Sequence, residues 1–180
     1  MRAKIAIIVL FCVAADGVFS AEMPADVAAE VAKFKDADPK VRQKGLTALG
    51  KLGAKAKPAI PQINEMLNDK ITWVTTRALM VLVEIGPDES SAKPAAPFLG
   101  REPDIRSPAV DVFVALKEKG VPVLIEALKD DKSAEGASEA LEKIGPAGKA
   151  AIPQLNATIK NSKSKPVRDA AAKALKAVSK

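Results

Sequence analysis

The stretch KIGPAGKAAIPQLN, residues 143–156, agrees at eight of fourteen positions with KLGAKAKPAIPQIN, residues 51–64. Each stretch has a glycine near its start and an Ile-Pro-Gln triplet near its end. Glycine ends helices because it adopts left-handed backbone conformations without strain, and proline is tolerated in the first turn of a helix. We therefore interpret both stretches as the connection between two helices, and their recurrence predicts a chain of repeated helix pairs.

A doublet of alanine or valine followed by leucine marks the first helix of each predicted pair. It occurs at Ala48-Leu49, Val81-Leu82, Ala115-Leu116, Ala140-Leu141 and Ala174-Leu175, with spacings of 33, 34, 25 and 34 residues. Four of the doublets are followed by a proline that would open the second helix: Pro61, Pro97, Pro122 and Pro153. A period of this size with one internal pattern is typical of solenoid proteins.

Apolar residues lie at helical spacing within a predicted pair. In the first helix, residues 41–52, an apolar face leads to the stop signal at Gly53, and Gly86 and Gly145 are the matching stops. The second helix carries a stripe of its own, Ile60, Ile63 and Leu67. Since one pair alone cannot bury both stripes, neighbouring pairs must stack.

These residues resemble HEAT repeats, and more closely the bacterial variety that is also found in phycobilisome-lyase-type proteins. The resemblance is carried by Val41-Arg42, Val167-Arg168, Leu52-Gly53, Ile144-Gly145, the Ala-Leu doublets and the Ile-Pro-Gln helix starts. It covers residues 36–180 and implies an all-α fold, a right-handed α-solenoid of about four and a half antiparallel helix pairs. The predicted units are 36–69, 70–103, 104–131 and 132–163, with a half-unit at 164–180.

The first residues predict export. Arg2 and Lys4 precede an apolar run, Ile5 to Ala15, and small residues lie before Ala21, which is the pattern of a signal peptide over residues 1–20. We expect a periplasmic or extracellular protein without a transmembrane segment after cleavage. Residues 21–35 are expected to form an N-terminal helix or cap.

Two local features interrupt the regular pattern. Pro97, Pro103 and Pro108 predict an irregular segment over residues 92–108, in which Pro108 would cut into the next first helix. Trp73 and Arg77 form an aromatic and cationic pair four residues apart. We expect Trp73 to pack between the first and second units, and the alternative is an exposed anchor for a partner.

Groups for catalysis are scarce. The chain has no His or Tyr, and cleavage of the signal peptide would remove its single cysteine, Cys12. We predict that the protein is not an enzyme and has no cofactor and no metal. The acidic pairs Asp36 with Asp38 and Asp130 with Asp131 are interpreted as helix caps. The lyase resemblance implies an alternative enzymatic function, the attachment of a bilin to a protein thiol. The predicted signal peptide argues against it, because that reaction is cytoplasmic in such families.

The expected function is a scaffold that binds a protein partner. In HEAT arrays the second helices line the concave face, which by position implies Gln62, Glu65, Arg101, Glu126, Gln154 and Ala157 as contacts. The alternative partner is an anionic membrane surface or polysaccharide, because residues 160–180 hold seven Lys or Arg against one acid. Its contacts would be Arg168, Lys173, Lys176 and Lys180. Few aromatic residues and the predicted export argue against nucleic acid.

Overall fold

The computed structural model describes residues 23–180, so the predicted signal peptide over residues 1–20 lies outside the described part of the chain. Within residues 23–180 the regular structure is helical, and no strand is present. The first helices of successive pairs are α2 (Pro39–Leu52), α4 (Thr72–Ile85), α6 (Pro103–Leu116), α8 (Asp131–Ile144) and α10 (Lys165–Val178). We call these five helices the first-helix row.

The second helices are shorter and follow stretches of 3-10 helix or tight turn. They are α3 (Ile60–Met66), α5 (Ala92–Ala95), α7 (Val121–Ala127) and α9 (Ile152–Asn161), and we call them the second-helix row. Helix α1 (Ala25–Ala32) precedes the first pair and packs against α2. Successive helices of the first-helix row pack against one another from α2 to α10. The predicted all-α solenoid is confirmed.

One continuous core runs between the two rows. Its largest fully buried side chains are Phe113, Leu46, Leu49, Ile60, Ile63, Leu79, Leu82, Ile85, Leu99, Leu124, Leu141 and Leu155. Alanines on facing helices fill the remaining contacts, among them Ala78, Ala137 and Ala171. Small side chains allow neighbouring helices to approach closely, so a chain with few aromatic residues still buries a dense interior.

Three of the first four first helices end at a glycine with positive φ: Gly53 (φ 55), Gly86 (φ 81) and Gly145 (φ 65). The helix of the third pair ends instead at Lys117, whose φ of 53 and ψ of −132 nearly repeat the 55 and −134 of Gly53. These four stops are 33, 31 and 28 residues apart. The stop places Val112-Phe113 in the position of the doublet, so the predicted doublet at Ala115-Leu116 and its 25-residue spacing are wrong.

The segment from Ala92 to Pro108 is irregular in its first part, as expected, but its last residues belong to a regular helix. Helix α5 has four residues and continues into a 3-10 helix, Ala96–Gly100. Helix α6 then runs unbroken through Pro108, so the prediction that this proline interrupts it is wrong. Pro108 lies in the second turn of α6. Because proline has no N–H, the helical hydrogen bond to the carbonyl of Asp104 is missing, and Asp104 is an exposed residue.

A buried ion pair joins the first pair of helices to the second. Arg42 on α2 donates from Nε and an Nη atom to the two carboxylate oxygens of Asp69, at 2.6 and 2.8 Å. Its other Nη atom donates to the backbone carbonyls of Asp36 and Ala37. Asp69 also accepts from the N–H of Ile71 at 2.9 Å. Arg42 therefore links the loop before α2 to the loop before α4.

Burial and hydrogen bonding act in opposite directions on the Asp69 carboxyl. Only 6% of its side chain is exposed. The hydrogen bond from Arg42 nevertheless lowers the pKa of Asp69 from its ordinary value, and the bond from Ile71 adds to this effect against the opposing cost of burial. The charged form is therefore the one that the fold stabilises.

We expect Lys117→Gly to stabilise the protein. Glycine adopts this backbone conformation without the penalty that a β-carbon imposes, so the free energy of unfolding should rise by about 1 kcal/mol. The reciprocal change Gly145→Lys should lower it by a similar amount, because the space around residue 145 is open and only the backbone conformation is affected. Thermal melts measure both changes, and an unchanged Lys117→Gly melting temperature would contradict the proposed strain.

We expect Asp69→Asn to destabilise the protein at neutral pH and to matter less in acid. A carboxyl with a lowered pKa contributes stability above its unfolded pKa of about 3.9, and this contribution disappears as the pH falls through the folded pKa. The melting temperatures of the parent and the variant should therefore differ by several degrees at pH 7 and converge as the pH falls through the lowered folded pKa of Asp69. Glu142→Gln, at an exposed site on α8, is the matched control and should show no such convergence.

Candidate protein-interaction surfaces

The predicted contact residues of the second-helix row lie on different supports. Glu65 on α3 and Glu126 on α7 are exposed, whereas Gln62 and Gln154 are half-buried near the starts of α3 and α9. Arg101 is exposed but lies beyond the 3-10 helix that ends at Gly100, in extended backbone. Arg101 was chosen by its position four residues after Pro97, in a segment that was already expected to be irregular, and the helix there ends one residue before it.

Grooves separate consecutive members of the second-helix row, and two of them contain predicted contacts. One, of about 360 Å³, lies where α7 and α9 end and is lined by residues that include Leu128, Gln154 and Ala157. The other, of about 270 Å³, lies between the end of α3 and the 3-10 helix of the second pair, with Leu67 and Arg101 in its lining. These two grooves are thus lined by Gln154, Ala157 and Arg101, and not by the other predicted contacts.

Two of the other predicted contacts, Glu126 and Gln62, are constrained by their surroundings. Glu126 binds Lys129 through both carboxylate oxygens, at 2.7 and 2.8 Å, in an exposed ion pair. The side-chain oxygen of Gln62 is buried and has no hydrogen-bond partner within residues 23–180. Gln62 therefore points its acceptor into the protein, and replacing it would alter the interior as well as the surface.

Helix α10 presents a basic side and buries an apolar one. Val167, Ala171, Ala174 and Val178 are buried where α10 packs against α8 and α9. Lys173, Lys176 and Lys180 are exposed. Because its apolar stripe is already covered, α10 offers charge to a partner surface and no side for insertion into lipid.

The fourth predicted member of this basic group, Arg168, is engaged within the protein. Its guanidinium is half-buried and donates to the backbone carbonyl of Ser162 at 2.8 Å. One acid, Asp169, also lies on the helix, and its hydrogen bond from Lys165 lowers the pKa of the Asp169 carboxyl. Lys173, Lys176 and Lys180 thus lie on the exposed side of α10 and form no ion pair with the described residues 23–180, whereas Arg168 binds the loop before the helix.

Trp73 lies on the outer side of the first-helix row, where 42% of it is exposed. The prediction that Trp73 packs between the first two units is wrong, because Val74 and Ala78 occupy the buried side of α4 instead. Met80, two turns further along α4, is 45% exposed. The sequence analysis missed Met80, although its spacing of seven residues from Trp73 places both on one side of a helix.

One member of each acidic pair caps a helix, Asp38 for α2 and Asp130 for α8. The Asp38 carboxylate accepts from the N–H of Lys40 at 2.8 Å at the start of α2, and that of Asp130 accepts from the N–H of Lys132 at 3.3 Å at the start of α8. Asp36 supports the first cap by accepting from the N–H of Asp38. Residues 23–180 contain no cluster of three or more potential metal-ligating side chains and no helix that is long and apolar enough to cross a bilayer.

Comparison with known proteins identifies the fold. The sequence matches no protein-family model and no curated protein. Its structure is similar to that of an engineered protein from the Northeast Structural Genomics Consortium, with 18% identity, a TM-score of 0.56, and coverage of 85% of this chain and 79% of that one. It is also similar to the complex of CpcE and CpcF of phycocyanin lyase from Nostoc sp. PCC7120, with 21% identity, a TM-score of 0.57, and coverage of 87% and 68%.

These likenesses establish a helical-repeat fold, and one of them corrects a prediction. The complex from Nostoc is that of a lyase, so chains of this fold occur in an enzyme. This finding contradicts the prediction that the protein is not an enzyme. The prediction relied on the absence of His and Tyr, which removes the commonest acid and base groups but leaves carboxylates, lysines and hydroxyls available.

We expect Arg168→Ala to destabilise the protein, although this residue was predicted to serve a partner surface. The variant loses a charged hydrogen bond to the Ser162 carbonyl, which should lower the free energy of unfolding by about 1.5 kcal/mol. Lys173→Ala, on the exposed side of the same helix, should change it by less than about 0.5 kcal/mol. Thermal melts of both variants measure this difference, and equal effects would contradict the distinction.

Proposed function

We propose that the protein is an exported scaffold of the HEAT type that binds a protein partner through the second-helix row. In a HEAT solenoid this row would form the concave face. Export rests on the sequence of residues 1–20, and the HEAT assignment rests on the repeated turns together with the helical-repeat fold. A protein partner is consistent with the similar structure from Nostoc, which is a complex of two proteins.

The observation that carries the proposal is the recurrence of the two grooves at matching positions. Leu67 and Leu128 lie six residues after the prolines that open their helices, and each lines its groove. Arg101 and Ala157 lie four residues after Pro97 and Pro153, and they line the opposite sides of the same two grooves. Matching indentations along one side of a repeat array suit an extended partner that contacts several units.

The chemistry of the grooves favours a polar partner surface. Asn68 and Lys70 contribute to one lining, and Lys129, Asp131 and Asn161 contribute to the other. Amide, ammonium and carboxylate groups offer both hydrogen-bond donors and acceptors. The grooves therefore suit recognition by hydrogen bonds around a small apolar centre, as at the rim of a protein interface.

The test combines affinity capture with two variants of the second-helix row. Arg101→Ala with Gln154→Ala alters both grooves, and Glu65→Ala with Glu126→Ala alters the exposed helix positions. We expect both variants to lose most of the partner that the parent chain, residues 21–180, captures from an envelope fraction and that mass spectrometry identifies. Their melting temperatures should stay within about 2 °C of the parent, because these side chains are exposed or half-buried.

The matched control alters Lys44 and Lys51, two exposed lysines on α2, to alanine. This control should retain the partner, because α2 belongs to the first-helix row. Unchanged capture by the second-helix variants would overturn the proposal. Gln62 is left in place because its buried oxygen would confuse loss of contact with loss of stability.

A second candidate function is binding to an anionic membrane surface or polysaccharide, which is favoured by the exposed Lys173, Lys176 and Lys180. Such binding would be electrostatic, since the apolar stripe of α10 is buried. It should fade steeply between about 0.05 and 0.5 M salt, whereas recognition of a protein by the second-helix row should fade less. Changing the three lysines to glutamine in the same capture experiment separates the two functions.

A further inference from the structure

An exposed apolar groove runs along the first-helix row, and one end of it shares Thr72 and Ile105 with the groove beside Arg101. Its first part, of about 430 Å³, includes Trp73, Met80 and Ile105 in its lining. Its second part, of about 300 Å³, includes Met80, Val83 and Pro108. Met80 belongs to both parts, so we treat them as one feature, the Trp73–Met80 groove.

This groove holds the large apolar side chains that the fold leaves in water. Within residues 23–180, Trp73 and Met80 are the two large hydrophobic residues with high exposure, and both line the groove. They lie seven residues apart on α4, which places them on one side of the helix two turns apart. Burying them against a partner would remove apolar surface from water, and tryptophan and methionine are both enriched in protein interfaces.

The charged side chains in the lining are mostly acidic. Glu84, Glu102, Asp104 and Asp111 carry four negative charges, against one positive charge on Arg77. Arg77 is already bound to Glu84, with two hydrogen bonds of 2.7 and 3.0 Å. Asp111 has Lys143 nearby at 3.6 Å, which is a long ion pair on an exposed surface. The surroundings of the groove therefore favour a cationic partner.

The Arg77–Glu84 pair leaves the groove open. This pair lies over Gly50 of α2, where a β-carbon would overlap the Glu84 carboxylate. The absence of a side chain at Gly50 gives the pair room against the neighbouring helix. Trp73 and Met80 are already exposed on α4, so a partner can contact them without movement of the backbone. This lowers the entropic cost of ordering the site on binding.

We propose that the Trp73–Met80 groove binds a basic amphipathic helix of a partner protein, whose apolar side chains contact Trp73 and Met80 while lysines or arginines face Glu102, Asp104 and Asp111. A helix that docks in a groove presents apolar anchors at helical spacing, which matches the spacing along α4. This interaction differs from that of the second-helix row in its anchors, because Trp73 and Met80 do not line the two grooves of that row. Helix α10 of another copy does not supply the anchors, because its apolar stripe is buried in its own chain.

The test uses Trp73 as its own reporter, since it is the single tryptophan of the chain. The probe is a synthetic helix of leucine and lysine at amphipathic spacing, without tryptophan. Titration into the full chain should shift the fluorescence of Trp73 to shorter wavelength in a saturable way, as burial removes the indole from water. Met80→Ser should raise the dissociation constant of the peptide about tenfold without changing the melting temperature, because it removes an exposed anchor.

Charge variants test the second half of the proposal. Glu102→Gln with Asp104→Asn should weaken binding of the lysine peptide severalfold and reduce its salt dependence. Glu65→Gln with Glu126→Gln removes the same charge from the second-helix row and should leave binding unchanged. Circular dichroism of each variant checks that α6 still forms.

Four outcomes would overturn the proposal. The first is the absence of a fluorescence shift with the peptide at up to about 1 mM, and the second is a shift that Met80→Ser does not affect. The third is equal binding of a peptide in which glutamate replaces lysine, which would remove the charge argument. The fourth is a shift that depends on protein concentration without peptide, which would assign the groove to a second copy of the chain.

Discussion

The structure depends on one constraint of helix packing: a pair of short antiparallel helices has two apolar faces and can cover only one of them by itself. Each pair must therefore find a neighbour, and the chain supplies that neighbour about thirty residues later. The first helices carry this constraint, because all five have the same length of 14 residues and pack in sequence from α2 to α10. The shorter second helices vary in length and regularity without breaking the array.

The repeated turn was sufficient to predict the architecture because its physics is local. In the repeated turns a glycine at positive φ ends one helix and a proline lies in the first turn of the next, and both residue types can be recognised in the sequence. Lys117 was missed because a lysine does not indicate a helix end in the sequence. It takes the backbone conformation of Gly53 without being glycine, so the third unit was aligned on Ala115-Leu116, three residues too late. Tertiary packing around Phe113 overrides the local preference of the lysine.

The candidate surfaces were harder to predict, because they depend on which side of a helix its neighbours cover. Counting four residues from Pro97 placed Arg101 on a helix that in fact ends one residue earlier. Arg168 was grouped with exposed lysines, yet a carbonyl within hydrogen-bonding distance engages it. Trp73 was assigned to the interior because tryptophan is usually largely buried, whereas Val74 beside it takes that position. These errors concern where a helix ends, which carbonyl engages a side chain and which side of a helix is covered, and the residue types alone do not specify these features.

The location of the Arg42–Asp69 pair has a consequence for how the array comes apart. Units of a solenoid contact only their neighbours, so each interface stabilises the array separately and the ends can detach before the middle. Among the ion pairs of residues 23–180, this one has both partners nearly fully buried, and it lies at the first interface. Later interfaces rely on apolar packing and on more exposed charges, such as Arg106 with Glu135. The stability of the array is therefore unevenly distributed, and loss of the Asp69 charge is expected to weaken the first interface more than the later ones.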